Sequence, residues 1–204
     1  MNKIQKRYNR IAGIYDLLEG PMETLFSKWR KDLLKNAKGK VLEVGIGTGK
    51  NIPYYSKGIQ LTGIDFSNKM IEQARKKYGA QSQIELLEMD AQQMTFDDNS
   101  FDTVVTFCVF CSVPDPVSGL KEIRRVCKNG GKVLMLEHVR SKHKIIGPLM
   151  DLLNPIPLYL HGANINRKTE ENLIKAGFKR DNIRITNLWH DIVKSFEIDN
   201  RKEG

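Results

Sequence analysis

Cysteine is scarce in this chain, and long apolar runs are missing. Its 204 residues hold three cysteines, Cys108, Cys111 and Cys127, and an odd count without an export signal argues against a disulfide framework. Cys108 and Cys111 form a CxxC, but no second Cys or His pair stands at zinc-ligand spacing. They read as small buried apolar residues at a strand end, and no metal is expected. No stretch of ~20 apolar residues occurs, so no membrane-spanning helix is expected. The first residues, Met1-Asn-Lys-Ile-Gln-Lys-Arg7, lack the apolar core of a signal peptide, which points to the cytoplasm. Internal repeats, linkers and low-complexity tracts are also missing, so one domain over residues 1–204 is expected.

What is present is a foldable, basic composition. The hydrophobic fraction is 40%, enough for a packed core. Lys and Arg number 33 against 24 Asp and Glu, a formal charge of +9 spread along the chain. Such a balance suits nucleic acid, anionic membrane, acidic substrates or simply a soluble basic surface.

The apolar pattern changes period along the chain. Ile4, Tyr8, Ile11, Tyr15 and Leu18 recur at steps of three and four, which predicts a helix over 3–18. A second helix is expected from Pro21 towards Asn36, making 1–36 an N-terminal helical cap. Strands are then predicted at 40–45, 60–65, 84–90, 101–108 and 132–138. Helices are predicted between them, one capped by Ser67 over 68–77 and one opened by Pro116 and stopped by Asn129-Gly130-Gly131. This alternation predicts an α/β fold with parallel pairing and right-handed crossovers. Beyond it, residues 145–165 are apolar but interrupted by Pro148, Pro155 and Pro157, and read as a lid segment. Thr169 is expected to cap a helix ending at Gly177, and 182–189 and 192–198 to close the sheet as an antiparallel hairpin. The predicted architecture is a Rossmann-like doubly wound sheet of about seven strands, mostly parallel, with helices on both faces.

Glu43-Val-Gly45-Ile-Gly47-Thr-Gly49 follows the first strand. Glycines there let the backbone turn tightly and let a ligand approach the main chain. Gly49 follows Gly47 by two, whereas the dinucleotide fingerprint G-x-G-x-x-G needs three, so a nicotinamide oxidoreductase is disfavoured. Asp65 closes the second strand, where a carboxylate can accept both hydroxyls of a ribose. Asp90 closes the third, followed by Ala91, and Phe66 and Met70 offer apolar surface to a flat ring.

The pattern E-x-G-x-G-x-G resembles the loop of class I methyltransferases that binds S-adenosylmethionine (SAM). That resemblance implies a cofactor site built from Tyr8, Tyr15, Glu43, Gly45, Gly47, Gly49, Asn51, Asp65, Phe66, Ser67, Met70, Asp90, Ala91 and Cys108. Asp90 would meet the adenine amino group and the Ala91 N–H its ring, while the tyrosines of the first helix close over the cofactor. Leu136-Glu-His-Val-Arg-Ser141, Asp151-Leu-Leu-Asn-Pro155, Gly162-Ala-Asn-Ile-Asn-Arg167 and Ala176-Gly-Phe178 look like a branch of membrane-associated methyltransferases. That branch includes alkyl-thiol and phosphatidylethanolamine N-methyltransferases, with quinone-ring methyltransferases as neighbours. Asn129 departs from the pattern, where proline is usual.

A SAM methyl is already activated, so in-line displacement requires mainly that the nucleophile be positioned. The resemblance implies S-adenosylhomocysteine as product and a small hydrophobic or lipid-like acceptor: a phospholipid amine, a thiol or a quinone precursor. His138, at the end of the fifth strand, is the candidate base or orienting residue. Arg140, Tyr159 and His161 are candidate acceptor contacts. The apolar 145–165 segment and the basic first helix suggest peripheral contact with an anionic membrane. Two alternatives stand beside this reading: an RNA methyltransferase, suggested by the charge, and a non-catalytic SAM-binding protein. Against the first, the place of the Asn/Asp-Pro-Pro-Tyr motif reads Phe107-Cys-Val-Phe-Cys-Ser112.

Overall fold

The computed structural model describes the backbone of residues 3–202 and their side chains except at 3, 18–23, 25, 160 and 161. Seven strands form one sheet: β1 (Lys40–Val44), β2 (Gln60–Asp65), β3 (Ile84–Glu88), β4 (Phe101–Phe107), β5 (Cys127–His138), β6 (Ile183–Trp189) and β7 (Val193–Asn200). Their order is β3-β2-β1-β4-β5-β7-β6. The first five pair in parallel, and β7 runs antiparallel to both β5 and β6. The expected mostly parallel sheet with a C-terminal antiparallel hairpin is thus observed.

Both faces of the sheet are covered, which is why its strands read as continuous apolar runs. Successive residues point to opposite faces. Leu42, Val104 and Val133 join one buried cluster with Leu120, Ile123 and Leu173, which belong to helices α4 (Pro116–Val126) and α7 (Thr169–Lys175). Val41, Val105 and Leu134 join the other with Leu34, Ile71 and Ala74, from α2 (Tyr15–Leu34) and α3 (Asn68–Tyr78). Ser67 caps α3 by accepting the Met70 N–H at 3.2 Å. Asp115 caps α4 by accepting the Val117 and Ser118 N–H groups, with Pro116 at the first helical position. The chain leaves β1 towards β2 on one side and enters β4 on the other, so the topological switch point lies between β1 and β4.

Several local expectations need correction. The helix expected over 3–18 is two: α1 (Lys3–Ile11) ends in a turn through Gly13, where the Ile14 N–H bonds the Ile11 carbonyl, and α2 begins at Tyr15. Glycine is a poor helix former, and here it lets the chain change direction. Pro21 lies inside α2 rather than opening it. Asn129-Gly130-Gly131 does not stop a helix. It lies within β5, where Cys127 pairs with Phe101 and the Asn200 amide donates to the carbonyls of Arg124, Cys127 and Lys128. Residues 145–165 contain two short helices, α5 (Ile146–Leu153) and α6 (Pro155–His161). Pro148, Pro155 and Pro157 all fall in first turns, where the missing N–H has no intrahelical partner to lose. Thr169 is the first residue of α7 rather than its cap, and its hydroxyl is buried without a partner among the described residues.

Candidate active site

The carboxyl ends of the parallel strands surround a cavity of about 430 Å³ at the switch point. Val44, Gly45 and Gly47 line it from β1 and its loop, Asp65, Phe66 and Met70 from β2 and α3, and Glu88 to Gln92 from the end of β3. Phe107, Cys108, Val109 and 112–114 line it after β4, and Gln5, Tyr8 and Tyr15 from the N-terminal helices.

The glycine loop divides its work. Gly45 and Gly47 have φ of 70° and 57°, the left-handed region that glycine adopts at little cost. A Cβ on Gly45 would sit 2.5 Å from a Val109 methyl, whereas one on Gly47 would meet nothing within 4 Å. Gly45 therefore permits close packing of two loops, and Gly47 leaves bare backbone facing the cavity. Gly49 lies behind, against Ile52 and Tyr78.

Two carboxylates brace this loop from beneath. Asp65 accepts the Gly47 N–H at 3.0 Å and the Ser67 N–H at 2.8 Å. Burial pushes its carboxyl up to about 6, against the pull of those two bonds. Glu43 faces away from the cavity and accepts from the Asn51 amide at 2.6 Å and the Tyr55 hydroxyl at 2.8 Å. Burial raises it to about 7, opposed by those hydrogen bonds and by Arg30. Asp90 is exposed and holds its own turn, accepting from the backbone N–H and the side-chain amide of Gln92.

α1 crosses the mouth of the cavity and is fastened on both sides. The Gln5 amide donates to the Phe66 carbonyl at 2.5 Å, the Ser67 hydroxyl to Asn9 at 2.6 Å, and Tyr8 and Ser112 share a hydroxyl bond of 2.7 Å. The Tyr8 ring stands edge-on to Phe66 and beside Tyr15, with centroids 5.6 and 6.4 Å away.

The wall after β4 depends on Glu137, which is fully buried. Its carboxylate accepts the Thr106 hydroxyl at 2.9 Å and the Val109 and Phe110 N–H groups at 3.3 Å. Burial raises it to about 7. It thereby holds the turn in which Cys108 takes a φ of 52°. Sequence reasoning missed Glu137, together with Gln5, Tyr55, Gln92 and Ser112. For Glu137 a signal existed: it is a lone carboxylate in the apolar stretch of β5.

The remaining expected site residues fall elsewhere. Asn51 and Ser67, like Glu43 and Gly49, stand behind the lining. His138 is outside it: burial lowers its imidazole, the Ile165 backbone is its hydrogen-bonding neighbour, and its Nδ1 is buried without a partner among the described residues. Arg140 is paired with Asp151 at 2.7 Å and 3.0 Å, and Tyr159 is exposed beneath Arg7. The side chain of His161 lies outside the described residues. No described side chain of 145–165 lines the cavity. Among the described residues, no group of three or more His, Cys, Asp or Glu is placed to hold a metal ion.

A doubly wound sheet with a glycine turn after its first strand, an acidic residue closing its second and a cavity at the switch point defines a Rossmann-like protein built for a nucleoside-bearing cofactor. The family model for the methyltransferase domain matches residues 42–135. A phosphatidylethanolamine N-methyltransferase of Cereibacter sphaeroides is 38% identical over 153 residues, covering 73% of each chain. A demethylmenaquinone methyltransferase of Staphylococcus aureus is 37% identical over 142 residues, 66% of this chain and 56% of the relative. Among solved structures, a chain of the complex between the Haloferax volcanii Trm112 methyltransferase activator and a methyltransferase superposes with a TM-score of 0.74 at 16% identity, over 99% of both chains. An N-methyltransferase of Haemonchus contortus solved with phosphomonomethylethanolamine and S-adenosylhomocysteine gives 0.76 at 16% identity, over 99% of this chain and 61% of that one. The chain belongs to the class I SAM-dependent methyltransferases. It is an enzyme of that family, with SAM as its cofactor.

Proposed function

We propose that this enzyme methylates a small hydrophobic or lipid-like acceptor at a membrane surface, the acceptor being a phospholipid amine, a thiol or a quinone precursor. The observation that carries this reading is the make-up of the lining. It joins Asp65, Asp90 and the bare backbone of Gly47 to an apolar and aromatic set, Tyr8, Tyr15, Phe107, Val109, Val113 and Pro114. The names of the two relatives, one for phosphatidylethanolamine and one for demethylmenaquinone, support a lipid-like acceptor.

The cavity fits the cofactor. Asp65 would accept the ribose hydroxyls, and Asp90 and the Ala91 N–H would meet the adenine, with Phe66 and Met70 against its faces. Gly45 and Gly47 would let the amino-acid portion lie on the backbone, with Tyr8 and Tyr15 closing the mouth. Glu43, Asn51 and Tyr55 keep the loop in shape from behind. Bound SAM supplies an activated methyl on a sulfonium. The protein's part is to exclude water and align the acceptor with that methyl. Among the described residues the lining contains carboxylates and a thiol but no His, Lys or Arg, so in this reading alignment, rather than a histidine base, carries the step. His138 then serves the packing of β5.

The test is transfer from labelled SAM to a panel of phosphatidylethanolamine in mixed micelles, demethylmenaquinone, alkyl thiols and bulk RNA. Transfer to one of the first three is expected. Transfer to RNA alone would overturn the reading.

A further inference from the structure

Helices α5 and α6 turn apolar side chains towards solvent. Gly147 and Met150 of α5 point inward, while Ile146, Leu149, Leu152 and Leu153 point out. Ile145 before α5, and Ile156 and Tyr159 on α6, extend this surface. The seven side chains are between 38% and 76% exposed. Monomers in water rarely expose a contiguous apolar patch above a few hundred Å².

The charges around the patch identify its partner. Asp151 is the one acidic residue between 142 and 161, and Arg140 neutralises it through paired bonds. Exposed Lys144 adjoins the patch. α1, which has four cations and no acid, lies against α6, with the Arg7 guanidinium donating to the Leu158 carbonyl at 2.6 Å and lying over the Tyr159 ring. Its Lys6 and Arg10 are exposed. A second copy docked on this face would set those cations against their own kind. An anionic lipid surface satisfies both features, taking apolar side chains into its acyl boundary and cations at its headgroups.

We infer that α5 and α6 form the surface by which this enzyme lies on an anionic bilayer. The inference rests on the lipid-like acceptor proposed above and deepens it by naming the docking face. α1 joins that face to the cavity, since it supplies Gln5 and Tyr8 to the lining and rests on α6. Docking therefore brings the cavity mouth to the headgroup layer, where a lipid acceptor is already concentrated.

The experiment is flotation of the full chain with vesicles of phosphatidylcholine and phosphatidylglycerol in equal parts, which contain no methyl acceptor. The wild type is expected to float with these vesicles at low salt and not with pure phosphatidylcholine. The double variant Leu152→Glu/Ile156→Glu should lose about tenfold or more in partitioning, and Lys144→Glu should release at lower salt. SAM affinity of each variant, measured in solution, reports intact folding, because none of these residues touches the cavity. Equal partitioning of the double variant and wild type overturns the inference. So does failure of the wild type to bind, or self-association that the double variant abolishes. Transfer to a short-chain, water-soluble phosphatidylethanolamine reads the acceptor separately: transfer without docking removes only the docking face, and docking without transfer to any acceptor removes only the acceptor.

Discussion

Asp65 and Glu137 are both buried carboxylates at strand ends, yet their surroundings give them different work. Asp65 borders the cavity, and its ionised form accepts hydroxyls best. Its carboxyl sits at about 6 in the folded protein, so below that pH it is protonated. SAM affinity should therefore fall as pH drops from 7 to 5 and stay flat above 7. Asp65→Asn should weaken binding about 10- to 100-fold and abolish the pH dependence; calorimetric titration across that range checks it, and pH-independent binding by the wild type contradicts it. Glu137 instead holds a loop. Removing it as Glu137→Ala strands a hydroxyl and two N–H groups, which should cost about 2–4 kcal/mol in urea unfolding. Burial raises its carboxyl from 4.5 to about 7, so the folded state favours the protonated form. The stability this contributes is present below pH 4.5 and lost as pH rises through 7. Glu137→Gln should accordingly cost less than the alanine variant, and its penalty should shrink between pH 5 and pH 8. A penalty that grows with pH would contradict the assignment. Asp65 was legible in the sequence because a carboxylate after a buried strand and beyond a glycine loop is a recognisable pattern. Glu137 is legible only as a lone carboxylate in an apolar stretch, because burial in the sheet, which sequence does not show, decides that it rather than the neighbouring His138 matters.

At the scale of elements, the glycine loop shows how one motif mixes folding and binding. Gly45→Ala meets both a φ of 70° and a 2.5 Å approach to Val109, and should cost about 3 kcal/mol in denaturant unfolding. Adding Val109→Ala should return part of that loss. Gly47→Ala has open space before it and should cost only about 1–2 kcal/mol for its left-handed backbone. It should nevertheless weaken SAM binding more than tenfold, because its methyl occupies the cradle. Equal effects of the two substitutions on stability would show that the loop is not divided in this way. The spacing of the glycines was readable, but which glycine faces the cavity was not, since that depends on how the turn after β4 packs. The same limit explains the helix pattern. The period of Ile4, Tyr8 and Ile11 was plain, but the break at Gly13 and the helical course of 145–165 were decided by where the prolines and glycine fall within turns.

For the molecule as a whole, alternation of buried strands and helices made the parallel sheet legible. The place of β7 between β5 and β6 came from tertiary pairing over Gly131 to His138 and could not be read locally. The sheet gathers distant segments at one edge: Tyr8, Gly47, Asp65, Asp90 and Cys108 border a common cavity. No helix among the described residues is long and apolar enough to cross a membrane. At the docking face proposed above, the four cations of α1 would meet anionic headgroups, and vesicle binding should weaken steeply with salt.

The measurement that tests the account most directly is calorimetric binding of SAM to the wild type and to Asp65→Ala. Saturable one-to-one binding in the cavity at the switch point is expected of the wild type, and its loss in the variant with the fold intact. Absence of SAM binding by the folded wild type, or undiminished binding by Asp65→Ala, would contradict it.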